Sequence, residues 1–246
     1  MPASAAAGAA QGRPCLATMN IEMIQTGPLG VNTLLVPLSE RAVLVVDPAN
    51  CAFSRDEDGI FTFLEQKRLE PVAIALTHGH FDHVAGLLPF RKRYPHIPIA
   101  IHERDAHLIG SASEKAQGTH LFLMGFSAFL PFVSALPEPT AFLRGGGSLA
   151  ETFAATDEET QTALREWRVI HTPGHTQGSV CLHNKAQKIL LSGDTLFRFS
   201  WGRTDLPGGN ESQIQASLRV IKEAVEKGTR VFSGHDEAEF TLDGTP

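Results

Sequence analysis

Short apolar runs separated by turn residues dominate the pattern of hydrophobic and polar positions along the chain. The first three cover residues 21–25, 31–36 and 42–46, with glycine, proline or charged residues between them. Runs of this length with such boundaries predict strands, and the short connections predict that these three pair antiparallel. The same signal predicts further strands at residues 72–76, 97–101, 167–170, 179–182, 188–191 and 230–232.

Helical periodicity occupies several of the intervening stretches. Apolar residues alternate with charged groups in a helical spacing over residues 59–70, and helices are also predicted over 84–94 and 103–109. The clearest amphipathic pattern covers residues 210–226, where the apolar residues share one face and Asn210 stands at the cap position. Strands and helices therefore alternate along most of the chain.

Two stretches depart from this regularity. Residues 1–12 are mostly alanine and glycine, so residues 1–18 are predicted to be a disordered tail before a folded domain at 19–246. Residues 111–166 are expected to form an insertion, and its apolar, aromatic cluster between Leu121 and Phe132 also contains glycine and proline. This cluster is either a lid at the substrate entrance or a helical segment buried on the body of the domain.

Composition narrows the class of protein. The 246 residues are 42% hydrophobic, which is enough for a sizeable core. The net charge of -6 and the scattered Lys and Arg argue against a nucleic-acid or anionic-membrane partner, and no uniform apolar span predicts a transmembrane helix. Cys15, Cys51 and Cys181 form neither a disulfide framework nor a Cys-x-x-Cys motif, so a cytoplasmic, reducing location is expected.

Three imidazoles and a carboxylate lie close together directly after the predicted strand 72–76. They are His78, His80, Asp82 and His83, and the turn at Gly79 releases them from strand alternation so that several can converge. A solvated polar turn is a poor explanation for so many potential metal ligands within six residues. Imidazole and carboxylate without thiolate suit zinc, iron or manganese, and two metals are possible because the four can face two neighbouring positions.

Other predicted strands also end in candidate metal-binding side chains. His175, Asp194 and His235 each follow a strand, and they bring the set to seven without a cysteine. Asp47 also lies at the end of a predicted strand, and its alternative role is that of an ordinary turn residue. Two metals that share one carboxylate and take three further protein ligands each would need seven ligands. A bridging Asp194 would leave room for a shared water whose pKa both cations lower, which is the chemistry of a hydrolase.

These motifs resemble the metallo-β-lactamase superfamily. The resemblance rests on His-x-His-x-Asp-His from His78, His-Thr-Pro-Gly-His-Thr from His171, Gly-Asp-Thr at Asp194 and the final Gly-His at His235, and it covers most of residues 20–240. It implies an α+β fold, a four-layer αβ/βα sandwich with the metals at the sheet edges between two similar halves. The predicted order of strands and helices agrees with that fold.

Within the superfamily, the text around residues 171–179, 193–197 and 202–209 is similar to single-domain type II glyoxalases, the hydroxyacylglutathione hydrolases. By this resemblance two divalent ions are bound, with zinc expected and iron or manganese as alternatives. Their ligands would be His78, His80 and His175 for one metal, Asp82, His83 and His235 for the other, and Asp194 as the bridge. His171 would not be a ligand. Arg203 is expected to contact an anionic part of the substrate, and its alternative role is a loop-bracing pair with Asp205.

The activity implied is hydrolysis of a small-molecule thioester, with a glutathione thioester as one candidate, by a metal-bridging hydroxide that Asp82 orients. Thiolates leave easily, so no strong general acid is required. A mononuclear-iron persulfide dioxygenase is the alternative, because Gly202-Arg203-Thr204-Asp205 and His235-Asp236 also occur in that group. A non-catalytic binding module of the same fold is disfavoured, since such proteins usually lose ligands. β-Lactamase activity is disfavoured because the usual substrate carboxylate-binding Lys or Asn pattern is not recognisable.

Overall fold

The computed structural model describes residues 19–155, 157–236, 239–243 and 245, so the predicted tail at 1–18 lies outside the described residues. Within these ranges, eleven strands form two sheets. The strands are β1 (Glu22–Thr26), β2 (Val31–Pro37), β3 (Ala42–Val46), β4 (Glu70–Ala75), β5 (Ile99–His102), β6 (Ala141–Leu143), β7 (Trp167–His171), β8 (Val180–Asn184), β9 (Ile189–Gly193), β10 (Arg230–Ser233) and β11 (Glu239–Thr241).

Each sheet combines antiparallel and parallel pairs. The first sheet has the order β1-β2-β3-β4-β5-β6, antiparallel from β1 to β3 as predicted and parallel from β3 to β6. The second has the order β11-β10-β9-β8-β7, in which only β9 and β10 are parallel. Parallel neighbours require long crossover connections, and these carry helices.

Seven α-helices connect the described strands. They are α1 (Gly59–Lys67), α2 (Phe81–Val84), α3 (Leu87–Arg93), α4 (Ser113–Leu123), α5 (Leu149–Thr152), α6 (Glu158–Arg165) and α7 (Glu211–Ala224). Shorter 3₁₀ helices cover Glu103–Leu108, Gly110–Ala112 and Ser127–Phe132. None of the helices that the structure describes is long and apolar enough to cross a membrane.

Three predicted helices differ from the observed ones. The helix predicted over 59–70 ends at Lys67, because Arg68 adopts a left-handed conformation with φ 57°. The helix predicted over 84–94 is two helices, α2 and α3, separated near Gly86, whose N–H donates to the carbonyl of Pro48 at 2.9 Å. A Cβ at Gly86 would lie 2.7 Å from that carbonyl oxygen, so only glycine permits this approach. The segment predicted over 103–109 forms a 3₁₀ helix.

The core consists of apolar layers between and outside the two sheets. One cluster joins the inner faces of both sheets through residues such as Leu44, Ala75, Leu182 and Leu191. A second cluster packs α1, α3 and α4 on the outer face of the first sheet, and a third packs α7 on the outer face of the second. The order of layers is helix, sheet, sheet, helix, so the predicted α+β four-layer sandwich is confirmed.

Residues 111–166 divide into two structurally different parts. In the first part, Leu121 and Phe129 are fully buried in the core over the first sheet, whereas Phe122 is 74% exposed. This part therefore packs on the body of the domain through one face. In the second part, β6 pairs with β5, and α5 and α6 contribute Leu149 and Leu164 to the core between the sheets. The second part belongs to the sandwich itself.

Candidate metal centre

The seven candidate ligands converge at the edge of the two sheets. Each follows a strand, and the turns that carry them are joined across the sandwich. The N–H of Val180 in β8 donates to the carbonyl of Thr77 after β4 at 2.8 Å, and the N–H of Asn32 in β2 donates to the carbonyl of Gly234 at 2.7 Å. These bonds fix the turns of one sheet against the turns of the other, so residues far apart in sequence share one site.

The first group contains three ring nitrogens. His175 Nε2 lies 2.9 Å from His80 Nδ1 and 3.2 Å from His78 Nε2. All three side chains are buried. Burial lowers the pKa of each ring, and for His78 and His80 the neighbouring histidines lower it further, so the rings are held neutral with lone pairs available. Three converging neutral imidazoles form a suitable face for a divalent metal.

The second group contains two ring nitrogens and a carboxylate. His235 Nε2 lies 3.2 Å from Asp82 Oδ2 and 3.1 Å from His83 Nε2. Burial opposes the charged form of His83, but the adjacent carboxylates of Asp194 and Asp82 raise the pKa of this ring above its ordinary value. A cation placed among these atoms would balance the negative charge of the same two carboxylates.

Asp194 lies between the two groups. Its Oδ1 is 3.3 Å from His83 Nε2, and its Oδ2 is 3.6 Å from His175 Nε2 and 3.5 Å from His235 Nε2. Burial alone would raise the pKa of Asp194, but His83, followed by His235 and His175, holds it below its usual range. One carboxylate thus faces donor atoms of both groups.

Carbonyl oxygens orient two of the ring ligands. His175 Nδ1 donates to the carbonyl of Arg203 at 2.8 Å, and His235 Nδ1 donates to the carbonyl of Leu29 at 3.2 Å. A carbonyl oxygen only accepts, so Nδ1 carries a proton in each ring and Nε2 is the atom that faces the site.

Asp47 supports the centre from beside it. Its carboxylate accepts hydrogen bonds from the N–H and hydroxyl of Thr77 at 2.7 and 2.6 Å, and lies 3.0 Å from Nδ1 of His83. Asp47 has φ 51°, a left-handed conformation that an aspartate tolerates at a strand end. It could also complete a group with His78 and His83. Because its oxygens already have these partners, it is better suited to orienting His83.

Asp105 is a site residue that sequence reasoning missed, since it was treated only as part of the helix 103–109. Its buried carboxylate accepts hydrogen bonds from the N–H of Gly79 at 3.0 Å, the N–H of Gly178 at 2.7 Å and the hydroxyl of Thr176 at 2.6 Å. Burial raises the pKa of Asp105, and these hydrogen bonds oppose that shift. Its partners are distant along the chain, so no local motif marks it.

The donor set fits two divalent metals. The ligand atoms of His78, His80 and His175 lie within 4.8 Å of one another, as do those of Asp82, His83 and His235. Asp194 Oδ1 is buried and, apart from its approach of 3.3 Å to His83 Nε2, lacks a hydrogen-bond partner, which is rare for a buried carboxylate oxygen. A cation between the groups would satisfy this atom.

Arg203 and His171 lie near the centre but outside these groups. The guanidinium of Arg203 makes two parallel hydrogen bonds to Asp205, at 2.7 and 2.8 Å, which is the loop-bracing pair considered as its alternative role. His171 Nε2 lies 3.0 Å from the carbonyl of Gln177, and its ring stacks on His102 with centroids 4.1 Å apart. The structure therefore brings together the seven predicted ligands, with Arg203 at the margin.

A cavity of about 330 Å³ opens beside the centre. Five of the candidate ligands line it, and the other lining residues come from several loops. They are Leu29, Phe81, Met124, Phe197, Gly202, Arg203, Leu206 and Asp236. Met124 directly follows α4, so the segment from Leu121 to Phe132 contacts the cavity through this residue.

Comparisons with known proteins show the family and the fold that the chain resembles. The family model described as the metallo-beta-lactamase superfamily matches residues 26–235. The hydroxyacylglutathione hydrolase GloC of Haemophilus influenzae is 25% identical over 217 residues, which are 88% of this chain and 91% of the relative.

Two solved structures have similar folds over most of their length. The B3 metallo-beta-lactamase BLEG-1 is 27% identical with a TM-score of 0.74, and the match covers 92% of this chain and 95% of that one. The protein TTHA1623, solved in a di-iron-bound form, is 28% identical with a TM-score of 0.67, and the match covers 91% of this chain and 96% of that one.

Proposed function

The chain belongs to the metallo-beta-lactamase superfamily, and on that basis we propose that it hydrolyses small-molecule thioesters with two divalent metal ions. The observation that carries the proposal is the pairing of two three-donor groups around the single carboxylate of Asp194. The similarity to a hydroxyacylglutathione hydrolase supports a thioester, with a glutathione thioester as the first candidate.

In this proposal His78, His80 and His175 would hold one metal, Asp82, His83 and His235 would hold the other, and Asp194 would be shared between them. The pair of metals would polarise the substrate carbonyl and lower the pKa of a water. Asp82 lines the cavity, so its carboxylate can accept a hydrogen bond from the attacking water and orient it. The water would lose one proton to solvent, and its oxygen would bond to the carbonyl carbon. The C–S bond would then break, the thiolate would leave without a strong acid, and the carboxylic acid formed would release the second proton to solvent.

Zinc is the proposed metal, because neutral imidazoles and carboxylates at an open site suit it. Iron is the alternative, since TTHA1623 holds two irons in a structure 28% identical to this chain. A persulfide dioxygenase with one iron is the second candidate function, favoured by the sequences Gly202-Arg203-Thr204-Asp205 and His235-Asp236. The cytoplasm is the proposed compartment, and the described cysteines, Cys51 and Cys181, are free and buried.

The test combines metal content with three assays on the purified full chain. Metal per chain is measured by elemental analysis, thiol release from S-lactoylglutathione and S-propionylglutathione by a thiol reagent, oxygen uptake with glutathione persulfide, and hydrolysis of a chromogenic cephalosporin. Two metals per chain with thiol release are expected. One iron per chain with oxygen uptake and no thiol release would establish the dioxygenase, and turnover of the cephalosporin alone would establish a lactamase.

A further inference from the structure

The wall of the cavity beside the candidate metals is mostly apolar. Apart from the candidate ligands and Gly202, its side chains include Leu29, Phe81, Met124, Phe197 and Leu206. Leu29 comes from the β1–β2 turn, Met124 follows α4, and Phe197 and Leu206 belong to the long connection after β9. With Phe81 from α2, four separate segments thus supply apolar groups to one space that is continuous with the candidate metals.

The polar side chains of this wall, beyond the candidate ligands, are Arg203 and Asp236. The Nε and Nη2 groups of Arg203 both donate hydrogen bonds to the carboxylate of Asp205. Asp236 is exposed, so its carboxylate is available to water. Among the described residues that line the cavity, none is Ser, Thr, Tyr, Asn or Gln. A hydroxyl group on a bound acyl chain would therefore lack a neutral polar side chain to pair with.

We infer that the substrate carries an unsubstituted aliphatic acyl group, which lies against Leu29, Met124, Phe197 and Leu206, in preference to a 2-hydroxyacyl group. This inference rests on the proposed thioester hydrolysis and names its acyl class. With the carbonyl carbon at the metals, the acyl chain extends into the cavity, where each methylene is removed from water. A 2-hydroxyl group in the same place loses hydrogen bonds to water and finds no neutral polar side chain among the described lining residues.

The free energy of burying a methylene group sets the expected change in kcat/KM. Burying one methylene changes an equilibrium by about fourfold. We expect kcat/KM to rise about two- to fourfold per methylene from acetyl to hexanoyl, until the cavity is filled. We expect the lactoyl thioester to react about tenfold more slowly than the propionyl thioester, because an apolar pocket discriminates only moderately against an added hydroxyl.

The experiment keeps glutathione as the thiol in every substrate, so that only the acyl group changes. The metal-loaded chain is assayed with acetyl, propionyl, butanoyl, hexanoyl and lactoyl thioesters. Met124→Gln has nearly the same shape as the parent but puts an amide in the wall. This variant should flatten the chain-length series and narrow the difference between lactoyl and propionyl. Leu123→Gln, at a neighbouring side chain that is 57% exposed and absent from the wall, is the matched control and should follow the parent.

Binding supplies a second measurement that does not require turnover. S-methyl, S-butyl and S-hexyl glutathione are stable thioethers, and calorimetry should show Kd falling about two- to fourfold per methylene for the parent and less for Met124→Gln. If no thioester is cleaved while this series holds, the proposed hydrolysis fails and the apolar pocket stands. If thioesters are cleaved but lactoyl is preferred, or all chain lengths react equally, the acyl inference is wrong and the hydrolase proposal stands.

Discussion

The carboxylate of Asp105 accepts a hydrogen bond of 2.6 Å from the hydroxyl of Thr176, the residue next to His175. The same oxygen accepts the N–H of Gly79, which lies between His78 and His80. One buried side chain from a 3₁₀ helix thus connects the two turns that carry the first ligand group. Partners of this kind orient metal ligands without touching the metal.

Asp105→Asn should therefore weaken metal binding. The amide keeps the shape but has only one acceptor oxygen, so its NH₂ group would face an N–H or hydroxyl donor. We expect a loss of about 1–3 kcal/mol in the free energy of unfolding and about a 10- to 100-fold weaker metal affinity. Chelator competition and urea unfolding measure the two effects. Glu103→Gln, at an exposed side chain of the same 3₁₀ helix, is the control. Parent-like metal affinity in Asp105→Asn would show that Asp105 has no positioning role.

Asp194→Ala should abolish the state with two metals bound. One carboxylate can reach both cations through its two oxygens, whereas an imidazole nitrogen cannot. Elemental analysis should give at most one metal per chain, and thioester hydrolysis should fall at least about 100-fold, since charge stabilisation at the carbonyl is lost. His171→Gln alters a histidine outside both groups and should keep two metals. Two tightly bound metals and full turnover in Asp194→Ala would remove the bridging assignment.

Arg203→Ala separates a substrate contact from a structural brace. If Arg203 meets an anionic part of the substrate, its loss should raise KM by about tenfold for a glutathione thioester and leave a neutral alkyl thioester nearly unchanged. Asp205→Asn breaks the observed pair while keeping the cation, so it should not raise KM for the glutathione thioester. An equal loss on both substrates in Arg203→Ala would mean that Arg203 serves only to brace the loop.

Phe129→Ala tests whether the aromatic segment is part of the hydrophobic core. Phe129 is fully buried and its ring lies 5.2–5.8 Å from those of Phe53, Phe81, Phe126 and Phe132. Removing a buried phenyl ring typically costs about 3–5 kcal/mol in the free energy of unfolding. Phe122→Ala, at a ring that is 74% exposed, should cost little. Urea unfolding of both variants measures this, and equal small losses would favour a mobile lid over a packed segment.

His102 should make stability depend on pH. Burial and the neighbouring His171 lower the pKa of His102 to about 4, from about 6.5 in an unfolded chain. Between these values the unfolded state binds more protons, so the free energy of unfolding falls as the pH drops from about 6.5 to about 4, and His102 adds no pH dependence above this window.

His102→Asn keeps an acceptor for the N–H of Arg104 and removes the titrating group. Urea unfolding of parent and variant at pH 7, 6, 5 and 4.5 should show a shallower decline for the variant. The other buried histidines titrate in both proteins, so the difference between the two curves isolates His102. His96→Asn, at an exposed histidine, is the control for a simple loss of one imidazole. Identical curves for parent and His102→Asn would exclude this role.

Local patterns in the sequence determined much of this protein. Apolar runs bounded by turn residues located most of the strands, because alternation and turn chemistry act over a few neighbouring residues. The same logic identified the seven candidate ligands, since each lies shortly after a predicted strand. The helix of residues 211–224 was also predicted, with Asn210 as its cap, because its signal lies within the segment itself.

Other features were decided by tertiary structure, since they depend on contacts between residues far apart in the chain. Asp105 connects two ligand turns through Gly79, which is 26 positions away in the sequence, and Thr176, which is 71 positions away. The short strand β6 joins the first sheet because β5 offers it a partner edge, which its own three residues do not reveal. Likewise, Leu29, Met124 and Leu206 form one apolar wall only when folding brings three loops together, because side-chain packing and hydrogen bonding do not follow sequence distance.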